Sequence, residues 1–228
     1  MSGISYAVWS ASVADPAFSE WLRSACEPEW TAVVEHRFAE EINRGEVSDD
    51  KMRRYLEQDF QFVDSFTALL GAAVASADSF EARVPFSRFV GQIATDTERS
   101  YFHRALAELG GELSPTVLEP VTLDFRALMD EARTSQNYAL IVAVLCVAEW
   151  VYLGWASRAK QPLPENFLYR EWIELHDGED FRAWVGFLRG ELDRVGPGLG
   201  VEEQGRVLDF FQRATRLELR FFDMADAQ

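Results

Sequence analysis

Three carboxylates interrupt runs that otherwise read as apolar helical faces: Asp59, Glu149 and Glu218. Residues three and four apart share a helical face, so Asp59 falls on one stripe with Tyr55, Phe62 and Phe66. Glu149 breaks the most apolar stretch of the chain, residues 139–156 (ALIVAVLCVAEWVYLGWA), where an ionised carboxylate without partners is costly. Cys146 and Tyr152 project toward the same side, with Ala148 close by. Glu218 shares a stripe with Phe221 and Phe222. Carboxylates gathered in a dry pocket can divide acid and base work, because they cannot all ionise easily and at least one pKa rises. Each position also has a purely structural reading. Asp59 could bond a neighbouring Tyr or Arg, Glu149 could pair with an Arg of another helix, and Glu218 could lie on a solvated face.

Other chemistries fit the residue types less well. The histidines are His36, His103 and His176, and no His-x-x-x-His or Glu-x-x-His pair exists. Glu98 and His103 are five apart, poor spacing for two ligands on one helix, so no metal and no cofactor is expected. Glycine-rich phosphate loops and a G-x-S-x-G nucleophile motif are absent. Two cysteines, Cys26 and Cys146, cannot build a disulfide framework or a cysteine-rich zinc site. With 22 Lys and Arg against 38 Asp and Glu, the formal net charge is -16. No basic cluster offsets it, which argues against a nucleic-acid partner and against an anionic membrane surface.

The elements that must position these groups read as all-α, with 1–228 expected as one helical domain and about 1–15 as an N-terminal extension. A first helical region runs from about Pro16 to Arg44, with Pro28 at a kink or helix start and Gly45 at its end. Ser48-Asp49-Asp50 caps a long helix toward Ala77. Phe80 to Leu109 follows, stopped by Gly110-Gly111; then a loop at Ser114-Pro115 and a shorter helix, about Val121 to Arg133. The apolar helix spans about Gln136 to Lys160. Beyond the connector Gln161-Pro162-Leu163-Pro164, one helix carries Trp172 and the next Trp184. Gly196-Pro197-Gly198 precedes a final amphipathic helix, about Val201 to Ala225. Glu149 in the middle of 139–156, and the lack of a basic flank, favour a buried core helix over a membrane span. The N-terminus lacks the pattern of a signal peptide, and a cytoplasmic protein is expected.

Several strings, in order over nearly the whole chain, resemble the TenA family, the thiaminase II-like proteins of thiamin pyrimidine salvage. They are Phe18-Ser19-Glu20-Trp21-Leu22 with Glu35-His36-Arg37-Phe38, then Tyr55-Leu56-Glu57-Gln58-Asp59, Glu149-Trp150-Val151-Tyr152, Tyr169-Arg170-Glu171-Trp172-Ile173, and Glu218-Leu219-Arg220-Phe221-Phe222-Asp223-Met224-Ala225. Tyr-x-x-Gln-Asp is the most specific of these. The resemblance implies a heme-oxygenase-like helical bundle, commonly a homotetramer, that hydrolyses a substituted aminopyrimidine or thiamin. It implies that Asp59 grips the pyrimidine, that Glu218 transfers a proton, and that Phe62, Tyr152, His176 and Phe221 line or stack on the ring. One branch of the family carries a nucleophilic Cys two residues before the Trp of its central helix. Ala148 stands there, with Glu149 next to it, as in the branch without that Cys, so a carboxylate activating water is the simpler mechanism. Cys146, two residues off that register, is a less favoured candidate nucleophile. A non-catalytic pyrimidine-binding or regulatory protein is the alternative function; a metal-dependent oxidase on the same fold is disfavoured by the shortage of His.

Overall fold

Glycine, proline and short polar caps cut the chain into thirteen α-helices among the residues that the computed structural model describes, 4–95, 98–114 and 117–227. Pro115 of the expected loop and the first three residues of the N-terminal extension lie outside these. The helices are α1 (Tyr6–Ser10), α2 (Phe18–Ser24), α3 (Glu29–Val34), α4 (Arg37–Arg44), α5 (Asp49–Asp59), α6 (Phe62–Ser76) and α7 (Phe80–Thr95). They continue as α8 (Glu98–Leu109), α9 (Pro120–Ser135), α10 (Tyr138–Ala156), α11 (Phe167–Asp177), α12 (Glu179–Val195) and α13 (Val201–Asp226), with a 3₁₀ turn at Gly196–Gly198 before the last. The described regular elements are all helical, as expected for an all-α chain.

The stops have local causes. Gly45 takes the left-handed conformation at φ 68°, and the amides of Gly45 and Glu46 return to the carbonyls of Ile42 and Glu41, each at 2.9 Å. This is the paired C-terminal bonding that a residue without Cβ adopts cheaply. Gly110, at φ 65°, ends α8 in the same way, with the Gly111 amide on the Leu106 carbonyl at 2.8 Å. At the other ends, Asn137 caps α10 by accepting from the Leu140 amide, and Asn166 caps α11 by accepting from the Leu168 amide. Ser48 holds the cap position of α5, but its side chain makes no capping bond.

Two expected helical stretches are divided within the described residues, and the Phe80 to Leu109 stretch is represented by α7 and α8, with residues 96–97 outside the described residues. The Pro16 to Arg44 region forms α2, α3 and α4: Pro28 stands at the start of α3, and His36 Nδ1 accepts the Phe38 amide at the start of α4. The helix expected from Ser48 toward Ala77 breaks at Phe60-Gln61. There the Gln61 amide bonds the Gln58 carbonyl instead of Glu57, and the Gln61 side chain donates to the freed Glu57 carbonyl and to the Leu113 carbonyl, both at 2.9 Å. The break thus leaves no unpaired backbone acceptor at Glu57, which burial would make costly.

Helix α10 forms the centre, with α13, α12, α6 and α9 packed around it. Every residue from Ala139 to Val147 is buried. It is long and apolar enough to cross a membrane, yet 83% of its apolar window is covered by the protein's own helices. That agrees with the core-helix reading. The short α1 gives part of the extension a defined place: the Tyr6 ring meets Phe18 at 5.0 Å, and Trp21 Nε1 donates to the Ile4 carbonyl.

Close packing makes one glycine testable. A Cβ on Gly196 would fall 2.2 Å from the fully buried Phe18 ring, whereas one on Gly190 meets nothing within 4 Å. Gly196→Ala is expected to lower unfolding free energy by about 1–3 kcal/mol through overpacking. Gly190→Ala, in mid-α12, is expected to raise it by up to about 1 kcal/mol. Urea unfolding of both variants checks the pair.

Candidate active site

The three carboxylates converge. Asp59 from the end of α5, Glu149 from the middle of α10 and Glu218 from α13 line one cavity of ≈ 100 Å³. Tyr152 and His176 complete its polar wall, and Phe62, Phe66, Phe89, Phe102, Phe125 and Met129 supply much of the apolar wall. The break between α5 and α6 places Asp59 and Phe62 at two adjoining helix ends, and both still face this space. Phe62 is braced edge-on by Phe125 at 5.3 Å and by Phe221 at 5.0 Å.

Asp59 is held by a directed chain of hydrogen bonds. Trp172 Nε1–H donates to the Tyr55 hydroxyl at 3.2 Å, Tyr55 donates to the Tyr152 hydroxyl at 3.0 Å, and Tyr152 donates to Asp59 Oδ1 at 3.0 Å. Tyr55 and Trp172 are fully buried, so each hydroxyl proton is committed to the next oxygen and the bonds reinforce one another. The structural reading of Asp59, bonded to a Tyr, therefore coincides with a site reading: the carboxylate is fixed while it faces the cavity. Desolvation, and then the Asp59 charge, push both tyrosines well above the usual phenol range, so they act as neutral donors.

Glu218 is 2% exposed, which removes the solvated-face alternative. Burial first, then the charges of Asp59 and Glu149, raise its pKa well above the ordinary carboxylate value. A protonated Glu218 beside acidic neighbours is an acid with a proton to give. His176 is lowered to about 4 by burial, only partly offset by the bond from its Nδ1 to the Trp172 carbonyl at 2.8 Å, so the ring is neutral near pH 7.

Two expected site residues do not reach the cavity wall. Phe221 lies behind it, fully buried, one ring removed through Phe62 and 5.6 Å from Tyr55. Cys146 is fully buried and does not line the cavity; desolvation pushes its thiol far above the usual value, with Arg189 opposing. The reason is angular. The cavity face of α10 consists of Ala148, Glu149 and Tyr152, and at about 100° per residue Cys146 points roughly 110° away from its middle. Ala148, where the nucleophile of one family branch would stand, is on the wall. Tyr55 and Trp172 were missing from the expected site; Tyr55 precedes Asp59 by one helical turn, but nothing local to Trp172 signals that its indole N–H and carbonyl serve the site. Among the described residues no three His, Cys, Asp or Glu side chains are grouped as metal ligands.

A model of the TENA/THI-4/PQQC family matches residues 23–227, and the chain belongs to that family. It is 26% identical over 216 residues to the aminopyrimidine aminohydrolase of Halalkalibacterium halodurans, spanning 92% of this chain and 95% of that protein. The enzyme of the same name from Bacillus subtilis is 24% identical over 91% of this chain and 89% of its own length. Among solved structures, a TenA homologue from Pyrococcus furiosus superposes with a TM-score of 0.82 at 21% identity, covering 91% of this chain and 99% of that one. A protein described as a TenA family transcription regulator, from Silicibacter sp. TM1040, gives 0.77 at 24% identity over 91% of this chain and 96% of that one.

The raised Glu218 pKa carries a sign for stability. Near pH 4 and below, the group is protonated in both the folded and the unfolded chain. As pH rises toward and through the folded value, the unfolded chain releases its proton first, so folding stability falls. Glu218→Gln removes that loss. The melting temperature of the variant is expected to exceed wild type by more at pH 8 than at pH 5, read by thermal denaturation at both pH values.

Proposed function

We propose that this protein hydrolyses an aminopyrimidine in thiamin salvage, with 4-amino-5-aminomethyl-2-methylpyrimidine as the type substrate. The observation that carries this reading is the convergence of Asp59, Glu149 and Glu218 on one aromatic cavity. The names of the relatives above support the substrate class. In this reading Asp59, held by Tyr152, accepts hydrogen bonds from the pyrimidine's ring amine and its protonated ring nitrogen, a pair of donors suited to two carboxylate oxygens. Phe62 and the neighbouring rings cover the faces of the heterocycle.

The chemical step balances without an added reagent. Glu149 takes a proton from water as the water oxygen attacks the methylene carbon. The carbon–nitrogen bond breaks, and Glu218 delivers its proton to the departing nitrogen, which leaves as ammonia. The product is the hydroxymethylpyrimidine, and a proton returned from Glu149 to Glu218 through solvent restores the starting state. Ala148 on the cavity wall offers no thiolate, and the Cys146 thiol is protonated and turned away, which favours direct attack by water over a covalent intermediate.

The same reading places the protein in the cytoplasm as a single-domain homotetramer. The charge of -16 suits a freely soluble chain, and light scattering of the purified protein reports the oligomer directly.

Ammonia release from the aminomethylpyrimidine tests the reading. Glu218→Gln and Glu149→Gln are each expected to lower kcat by about 10²–10⁴, the usual contribution of a positioned acid or base. Wild-type kcat is expected to fall as pH rises through the raised Glu218 pKa, and that alkaline limb should vanish in Glu218→Gln. Full turnover in both variants would overturn the assignment, and saturable binding without ammonia release would point to a pyrimidine-binding protein instead.

A further inference from the structure

The cavity is closed on its polar side and thinly covered on an apolar one. Asp59, Glu149, Tyr152, His176 and Glu218 are all buried. The half-buried members of the lining are Phe62, Val63 and Phe66 of α6, Phe89 and Ile93 of α7, and Ala148. The thinnest cover over the cavity is therefore the seam between α6 and α7. At that seam Phe89 stands between the cavity and a second aromatic layer. Its ring meets Phe66 edge-on at 6.4 Å and lies flat on the Trp184 indole of α12, at 4.2 Å and 10°. Trp184 does not line the cavity, and its Nε1–H is sealed from solvent with no acceptor among the described residues. A buried donor without an acceptor destabilises the arrangement that buries it.

Helix α7 has a weak point one turn before this ring. Pro85 lies inside the helix and has no N–H for the Glu81 carbonyl, so one backbone bond is missing there. The turns before Pro85 are fastened to α6, where Arg83 Nε donates to the Val74 carbonyl at 3.0 Å. Phe86, next after the proline, is fully buried and edge-on to Trp184 at 5.6 Å and Phe187 at 5.1 Å. A small bend at Pro85 therefore moves Phe89 and Ile93, the two α7 residues on the cavity wall, while Phe86 stays anchored.

We propose that Phe89 is an aromatic gate to the cavity. When α7 bends at Pro85 about the anchored Phe86, Phe89 leaves Trp184, the cavity opens along the seam, and water reaches the Trp184 N–H. The open arrangement satisfies a donor that the closed one leaves bare, which keeps the cost of opening well below that of unfolding. The gate controls access and goes beyond the aminopyrimidine reading, since it acts on any ligand of this cavity.

Hydrogen–deuterium exchange of the indole N–H groups, followed by NMR of the full-length ligand-free protein, tests it. Trp155 and Trp172 are the references, and Trp155→Phe, Trp172→Phe and Trp184→Phe assign the signals. Both references are fully buried. Trp172 Nε1–H is bonded to Tyr55; Trp155 Nε1–H has no acceptor among the described residues, as in Trp184, but its ring lies against Tyr152 and His176. Trp184 is expected to exchange about a hundredfold faster than either. Phe89→Leu, which keeps bulk but cannot stack, should quicken it about tenfold. Pro85→Ala, which restores the backbone bond, should slow it about tenfold and decides the matter if the Phe89 variant folds poorly. A Trp184 rate no faster than that of Trp155, or one indifferent to both substitutions, would overturn the gate. Saturation with 4-amino-2,5-dimethylpyrimidine, which has no leaving group, should slow Trp184 exchange about tenfold at ten times its Kd. Unchanged exchange at demonstrated saturation would overturn the link to access. Failure of that compound to bind would count against the aminopyrimidine reading, and the ligand-free rates would still decide the gate.

Discussion

Carboxylates withdrawn from water resist sharing a small space, because each charge raises the cost of the next. Much of this protein's interior is arranged around that constraint. Glu218 meets it by holding its proton, under burial and the charges of Asp59 and Glu149. Asp59 meets it by accepting the end of a chain of donors that begins at the indole of Trp172. Enforced protonation of one group and supported acceptance by another put one proton donor and one acceptor on the same cavity, the pair on which the proposed C–N hydrolysis rests.

The scaffold that enforces this is a helix with almost no polar surface, most of it enclosed by its neighbours. Because most of α10 is covered by its neighbours, the carboxylate in its middle is buried, and it lines the cavity. The aromatic side chains make much of that cavity's wall apolar, and they brace one another in layers, as Phe221 does behind Phe62. A buried acid such as Glu218 also costs stability near neutral pH, the exchange that the proposed catalytic role would bring with it. The break at Phe60-Gln61 belongs to the same design. It ends α5 at Asp59 and starts α6 with Phe62, both of which line the cavity, and Gln61 fills the backbone valence that the break exposes.

The amino-acid sequence by itself determined the all-helical class, the helix stops at Gly45 and Gly110-Gly111, and the three carboxylates that line the cavity. These are local properties: a left-handed residue, a side-chain cap, or a charge in an apolar stripe is legible over a few residues. It also carried the family, since ordered short strings survive where overall identity is low. Tertiary structure alone decided the helix break between Asp59 and Phe62, because the periodicity runs through it and Leu113, a distant residue, helps to stabilise it. It decided which side of α10 faces the cavity, since a helix apolar all round has no preferred face of its own, and so it turned Cys146 away and left Ala148 on the wall. It also decided that Trp172 governs both Asp59 and His176. Those bonds join residues far apart in the chain or depend on how a buried ring is wedged, and no spacing within a single helix encodes them.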